Sequence, residues 1–133
     1  MMPAFTPCEV RYGHPADFLV EYRILSVAEG GRKRPIGQEY RCNWFYGDTP
    51  PESGSSGLYS IWPEFLNQAG ELLVDEFAPT TGRATMWIPN PKLRSQHQDK
   101  LFVGAHGFMS EGPRPSVECT VVEVLSLHEN PIG

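Results

Sequence analysis

At 133 residues, with 40% hydrophobic and 20% charged residues, the chain has the length of one domain and the composition of a folded protein. The formal net charge of −5 argues against a domain whose whole surface binds nucleic acid, because such domains carry an excess of basic residues. The 13 glycines and 13 prolines favour many short strands joined by turns over long helices.

Two strands are predicted in the first part of the chain. The segment 17–27, DFLVEYRILSV, has the period of two that is typical of a half-buried strand. Its predicted core face consists of Phe18, Val20, Tyr22 and Ile24. A second strand, rich in aromatic residues, is predicted over 40–46. The segment 47–57, GDTPPESGSSG, is polar and rich in turn residues, and we expect a flexible loop there.

The middle of the chain is predicted to hold a short strand at 58–62 and a single helical turn at 64–69. Two further strands are expected at 71–77 and 84–88, joined by a turn that contains Gly82.

The last third begins with the polar segment 92–100, for which we predict an exposed loop. Residues 101–109 are apolar and interrupted by glycines, and a turn is expected at 110–115. A β-branched final strand is predicted over 117–127, followed by a frayed tail at 128–133.

This series of six or seven short strands, with no substantial helix, predicts an all-β fold. Regular turn spacing is typical of a small antiparallel barrel or sandwich. We therefore expect a single β-barrel domain over residues 1–133.

The residue types that usually carry chemistry show no catalytic or metal-binding spacing. Cys42 and Cys119 lie in apolar runs and are predicted to be buried, reduced thiols. The four histidines are predicted to be solvent-exposed or incidental. Asp75 and Glu76 point to opposite faces of a predicted strand, so they do not form an acid–base pair. We expect no enzymatic activity, no metal and no cofactor.

Three further predictions concern the tryptophans, the membrane and nucleotides. The tryptophans are predicted to pack in the core, with an aromatic patch that faces a partner as the alternative. The N-terminus lacks the features of a signal peptide, and no apolar run is long enough to span a bilayer. No phosphate-binding G-x-x-x-x-G-K-[ST] motif is present. We therefore expect a cytoplasmic protein without membrane or nucleotide partners.

The basic segment 29–41, EGGRKRPIGQEYR, is the main candidate for a binding site. The residues expected to shape its turn are Glu29, Gly30, Gly31 and Pro35. The residues expected to bind an anion are Arg32, Lys33, Arg34 and Arg41. The alternative is a solvated turn whose cations keep the strand ends soluble.

The same segment resembles a known family. EGGR at 29–32, with Pro35 and the Tyr-Arg pair at 40–41 at fixed distances, resembles the first hairpin of the C-terminal β-barrel domain (domain 3) of elongation factor Tu. In that family a strand with an ILS-like end, matched here by 24–26, leads to EEGGRHTPFFKGYRPQF. The resemblance covers residues 18–47. Because the family retains an arginine at this place, the resemblance implies that Arg32 ties the turn to a carboxylate such as Glu29, or to a carbonyl group.

A second resemblance lies near the C-terminus, where Phe108 is followed by EGPR at 111–114 and an apolar end at 121–125. The family has EGGRTVGAGVV in this place. Val117 and Cys119 stand where the family has glycines, and glycines allow close backbone approach.

The resemblance implies a six-stranded antiparallel barrel. It also implies a non-catalytic role, because domain 3 contacts the T-stem backbone of aminoacyl-tRNA, the nucleotide-exchange factor and the GTPase domain. Two functional hypotheses follow. In the first, the chain is a stand-alone binding module that docks a protein partner, as an immunity protein or as a mimic of factor Tu does. In the second, the chain binds a tRNA or RNA backbone through Arg32, Lys33, Arg34 and Arg41.

Overall fold

A computed structural model describes residues 6–47 and 58–133. These residues form one seven-stranded antiparallel sheet, strongly curled into an open half-barrel, and two short helices. The strands are β1 (Phe18–Ile24), β2 (Asn43–Tyr46), β3 (Tyr59–Ser60), β4 (Trp62–Leu66), β5 (Thr81–Trp87), β6 (His106–Glu111) and β7 (Arg114–Val124). The helices are α1 (Cys8–Tyr12) and α2 (Pro91–His97). Neither helix has the length needed to cross a lipid bilayer.

The strand order is β3-β2-β6-β7-β1-β5-β4. The two edge strands, β3 and β4, are consecutive in the chain and are separated only by the fully buried Ile61. One continuous stretch, 59–66, therefore pairs with β2 at its start and with β5 further on. This arrangement explains the strong curl, because the same segment of chain must lie along both edges of the sheet.

The alternation predicted for the first strand is confirmed in β1. Phe18, Val20 and Tyr22 are buried, as a strand with one face on the core requires. β1 is paired on both sides, with β5 and with β7. β2 pairs with β3 and with β6.

Aromatic side chains fill the core. Trp44 is fully buried and makes edge-to-face contacts with Phe18 and Tyr46, at centroid distances of 5.6 and 6.0 Å. The Trp44 indole lies so close to Gly107 of β6 that a Cβ at this glycine would overlap it. Trp87 is also buried, whereas Trp62 is half-buried. Cys42 and Cys119 are buried thiols, as predicted.

Two predicted elements in the middle of the chain are wrong. Residues 64–66 continue β4, so they do not begin a helical turn, and 71–77 contains only one isolated bridge, between Leu72 and Leu66. The Gln38 side chain takes the place of a neighbouring strand here. Its amide nitrogen donates to the carbonyl oxygens of Phe65 (2.7 Å) and Leu73 (2.9 Å), and its amide oxygen accepts from the Phe65 nitrogen (2.8 Å).

Gly82 lies inside β5 and does not form the predicted turn. It faces Tyr22 across the sheet, and the Tyr22 ring covers it so closely that a Cβ at this position would lie 2.9 Å from the Tyr22 hydroxyl oxygen.

The segment 92–100, predicted as an exposed loop, contains most of α2. The Asn90 side chain caps this helix by accepting a hydrogen bond from the Lys92 nitrogen (3.1 Å), and Pro91 occupies the first turn. Two of its polar residues, Arg94 and His97, are buried. The prediction failed because these polar side chains face partners within the protein.

Within the predicted tail, 128–133, Asn130 is tied to the body of the protein: it is 6% exposed, whereas the other five residues are exposed. The Asn130 amide donates to the carbonyl oxygen of Pro15 and to Oδ1 of Asp17, both at 2.9 Å. The flexible loop expected at 47–57 lies, apart from Gly47, outside the described residues.

Candidate functional site: a basic recess

The turn that leads from β1 into the basic segment is built from Ser26, Glu29 and two glycines. Ser26 and Glu29 form a reciprocal capping box around a single 3-10 turn, Val27–Glu29. Gly30 has a φ of 91°, in the left-handed region that favours glycine. A Cβ at Gly31 would overlap the Leu25 carbonyl oxygen. The local sequence therefore determines the direction in which the basic residues leave β1.

Glu29 is held by Arg23 and is not the partner of Arg32. Two nitrogens of Arg23 donate to the Glu29 carboxylate at 2.9 and 2.8 Å, and Arg23 Nε donates to Glu118 of β7 at 2.6 Å. The hydrogen bonds from Arg23 and from the Ser26 backbone lower the pKa of Glu29 to about 2. This exposed bridge fastens the turn to β1 and β7.

Arg32 ties the turn to the hairpin between β6 and β7. Its Nε donates to the Arg34 carbonyl oxygen and its Nη1 donates to Glu111 Oε2, both at 3.0 Å. The guanidinium also lies over the Tyr40 ring, 5.2 Å from its centroid. The expected tie to a carboxylate and to a carbonyl group is therefore present, but the carboxylate is Glu111.

Glu111 is the single carboxylate at the base of this arrangement. Its Oε2 also accepts a 2.7 Å hydrogen bond from the Tyr40 hydroxyl, which lies 2.8 Å from the Ser116 hydroxyl. Partial burial would raise the pKa of Glu111, but the Tyr40 hydrogen bond and the charge of Arg32 outweigh it. The pKa of Glu111 consequently lies below its ordinary value, and the group is a carboxylate at neutral pH.

Four cations surround a shallow cavity of about 290 Å³. We call this cavity the basic recess, and its lining residues are Gly31, Arg32, Lys33, Arg34, Glu111 and Arg114. Lys33 and Arg34 are exposed, and neither side chain forms an ion pair with any residue in 6–47 or 58–133. Arg114 lies 3.5 Å from Glu111, so this carboxylate is shared by two arginines.

Of the four predicted anion-binding residues, the structure brings together Arg32, Lys33 and Arg34. Arg41 lies elsewhere, because its guanidinium stacks on the Trp62 ring at 4.3 Å from the centroid. Sequence reasoning missed Arg114, which comes from β7, 80 positions beyond Arg34 in the chain. The signal that could have found it is the EGPR segment at 111–114, which repeats the Glu-Gly-x-Arg pattern of the first turn.

The predicted turn residues lie close to these cations. Glu29 and Gly30 shape the turn, and Gly31 lines the recess. Pro35 is exposed and directly follows Arg34.

A larger open cavity, of about 990 Å³, lies against β1, β6 and β7 and the segment 99–105. Its ionisable side chains are largely engaged: Arg23 with Glu118, and His106 with the Thr120 hydroxyl at 3.2 Å. Cys119 lies under this cavity, and its complete burial raises the pKa of its thiol well above the ordinary value. Such a thiol is protonated at neutral pH and is a poor nucleophile.

Metal-binding residue types do not cluster in the part of the chain that the structure describes, where no three His, Cys, Asp or Glu side chains could hold one ion. His97 is buried, contrary to the prediction of exposed histidines. Its Nδ1 lies 2.6 Å from the Tyr46 hydroxyl.

Comparison of the sequence with protein-family models and with curated proteins finds no matching family and no matching relative.

Proposed function

We propose that this chain is a non-enzymatic binding module that docks an acidic surface of a protein partner at the basic recess. The observation that carries the proposal is the charge balance of the recess. Four cations surround one carboxylate there, on a chain whose net charge is −5. Arg32 and Arg114 share Glu111, whereas Lys33 and Arg34 extend into solvent and can meet carboxylates of another molecule.

The size of the recess favours a protein partner over an RNA backbone. Proteins that bind nucleic acid typically neutralise several phosphates along a groove or a face. Here Arg41 is separated from the other three cations, and the Arg32 charge is already engaged. The remaining cations suit a few carboxylates on a protein surface better than a run of phosphates. RNA binding remains the alternative, and the experiment below distinguishes the two.

We also propose that the chain is a stand-alone relative of elongation factor Tu domain 3, acting in the cytoplasm as an immunity or regulatory protein. Three observations support this proposal. The EGGR segment forms a tight, glycine-dependent turn directly after β1. A second Glu-Gly-x-Arg segment faces the first across the recess. If 59–66 is counted as one strand, the sheet has the six strands of that family.

The proposed function can be tested with immobilised full-length protein in lysate of its own host, with and without RNase. The test variant is Lys33→Ala/Arg34→Ala, which leaves the Arg32–Glu111 contact in place. The matched control is Arg83→Ala/Lys92→Ala, which removes two exposed cations from β5 and α2.

We expect one protein to be retained in stoichiometric amount by the wild type and the control, to survive RNase, and to be lost from the test variant. Retention that is equal for all three proteins, or no retention at all, would contradict the proposal. RNA that is retained by the wild type, is lost from the test variant and binds less tightly with added salt would support the RNA alternative.

A further inference from the structure

A short exposed loop, 74–77, presents both apolar and acidic side chains. Val74 and Phe77 are 61% and 65% exposed. Asp75 and Glu76 lie between them, are exposed, and form no ion pair with the residues the structure describes. We call 74–77 the acidic–aromatic loop.

The acidic–aromatic loop is anchored at both ends by contacts with distant parts of the chain. Before the loop, the Leu73 nitrogen donates to the Phe65 carbonyl oxygen, and the Gln38 amide donates to the Leu73 carbonyl oxygen, both at 2.9 Å. After the loop, the Ala78 nitrogen donates to the Ile36 carbonyl oxygen at 2.7 Å. A loop held in this way loses little conformational freedom when it binds.

Asp75 has a left-handed φ of 58°. This conformation is uncommon for residues other than glycine, although aspartate tolerates it better than most. The backbone therefore adopts a defined turn at the centre of the exposed loop.

The acidic–aromatic loop lies beside the basic segment. The Phe77 ring lies near Gly37, where a Cβ would make an ordinary van der Waals contact of 3.7 Å with Phe77 Cδ1. Gly37 is only three residues beyond Arg34. The basic segment and the acidic–aromatic loop are therefore neighbours, since the Ala78 nitrogen also donates to the Ile36 carbonyl oxygen.

This region carries charges of both signs, which contact between two copies of one chain requires. In a two-fold dimer that sets the cations of one copy against the carboxylates of the other, the same contact forms on both sides of the axis. The contact between cations and carboxylates is then made twice in one dimer, and a Phe77 ring that packs at the interface loses its exposure to water.

We propose that a second copy of the chain docks on this surface, with Lys33 and Arg34 of each copy against Asp75 and Glu76 of the other. The proposal rests on the proposed function in one respect, namely that the basic recess binds carboxylates on a protein. It adds that the first acidic surface to occupy the recess is that of another molecule of the same chain. A dimer of this kind would cover the recess until a stronger acidic partner displaces it.

The test is sedimentation equilibrium of the full chain over a range of concentrations. Two charge-changed variants are compared with the wild type: Lys33→Glu/Arg34→Glu, and Asp75→Asn/Glu76→Lys. Asparagine is chosen at 75 because it tolerates the left-handed conformation. We expect each variant alone to dimerise at least about tenfold more weakly than the wild type, because like charges then face each other.

An equimolar mixture of the two variants is the decisive sample. The variant Lys33→Glu/Arg34→Glu is acidic both at 33–34 and at 75–76. The variant Asp75→Asn/Glu76→Lys is basic at 33–34 and at 76. A heterodimer of the two therefore restores two favourable contacts. We expect the mixture to associate with a dissociation constant within about threefold of the wild-type value, because opposite charges again face each other on both sides of the heterodimer. Phe77→Ala should weaken the wild-type dimer, and the control Arg83→Glu/Lys92→Glu should leave it unchanged.

A wild-type chain that stays monomeric at about 1 mM, where association is weaker than about −4 kcal/mol, would overturn the proposal. Variants that dimerise as well as the wild type, or a mixture that does not associate, would overturn it too. Circular dichroism shows whether each variant is folded, and the single variants Arg34→Ala and Glu76→Gln replace any that is not.

The proposed docking function and the proposed dimer can fail independently of each other. A monomeric chain that still retains an acidic host protein through Lys33 and Arg34 would leave the docking function intact and would exclude the dimer.

Discussion

Two arginine–carboxylate pairs in this chain have similar geometry and different surroundings. Arg94 Nε lies 2.8 Å from Asp17 Oδ1, and Arg32 Nη1 lies 3.0 Å from Glu111 Oε2. The side chains of the first pair are 1% and 0% exposed, whereas those of the second are 22% and 34% exposed. The first pair is therefore part of the core, and the second lies at the surface.

The buried pair is surrounded by further hydrogen bonds. Asp17 also accepts from the Ile88 nitrogen and from the Asn130 amide, both at 2.9 Å. Arg94 donates to the carbonyl oxygens of Ile88 and Pro131. This network joins the start of β1, the end of β5, α2 and the C-terminal tail. Buried charges are tolerated only when they are paired and hydrogen-bonded in this way.

Burial, and not residue type, decides what an arginine does in this fold. Where each guanidinium nitrogen has a partner within the protein, as in Arg94, the arginine joins elements together and cannot meet a ligand. Where the pair lies at the surface, its neighbours Lys33 and Arg34 keep free charges that a partner can bind.

The largest effect on stability is expected for Arg94→Ala. This change leaves the Asp17 carboxylate buried without its cation, which costs about 3–5 kcal/mol of the free energy of unfolding. Urea denaturation followed by tryptophan fluorescence measures the loss. The double variant Asp17→Asn/Arg94→Met, which removes both charges, should be less destabilised than Arg94→Ala. A loss below about 1 kcal/mol for Arg94→Ala would mean that the pair behaves like a surface ion pair.

An intermediate effect is expected from His97, which lies on α2 near the buried pair. Burial, together with the positive charge of Lys100, lowers the pKa of His97 from 6.5 to about 4. Between pH 6.5 and pH 4 the unfolded chain binds a proton at His97 that the folded chain does not bind. The contribution of neutral His97 to stability is therefore full above pH 6.5 and is lost as the pH falls toward 4. The loss attributable to His97 is roughly 3 kcal/mol.

Urea denaturation of the wild type and of His97→Gln at several pH values between 4 and 7 measures this contribution. The glutamine variant should show a flatter dependence on pH in this window. Glu29 has its own window, because its pKa is lowered from 4.5 to about 2, and its contribution is lost below pH 4.5. Equal pH dependence of the two proteins above pH 4.5 would contradict the assignment to His97.

The smallest effect is expected for Arg32→Ala. The Arg32–Glu111 pair is partly solvated, and Glu111 keeps its contacts with Tyr40 and Arg114. The change should therefore cost about 1 kcal/mol or less. The same urea experiment applies, with Lys92→Ala as the control for loss of an exposed cation. A cost as large as that of Arg94→Ala would mean that Arg32 is a structural residue of the core and not part of a binding surface.

Features that depend on neighbouring residues could be predicted from the sequence. The alternation in β1 follows from the pleat of a strand, and the turn at Glu29, Gly30 and Gly31 follows from local sterics and capping. The burial of Trp44 follows from its size and its place in an aromatic strand. The short antiparallel strands followed from the density of glycine and proline.

Only the tertiary structure decided which distant residues meet, because the partner of a charged side chain depends on where the rest of the chain packs. Arg94 and Arg34 both lie in polar segments of the sequence, yet Arg94 pairs with Asp17 in the core and Arg34 faces solvent. Arg41 was expected beside Arg34, but it stacks on Trp62, and Arg114 takes its place. The recess exists because two segments about 80 residues apart in the chain lie side by side, and no local pattern records that approach.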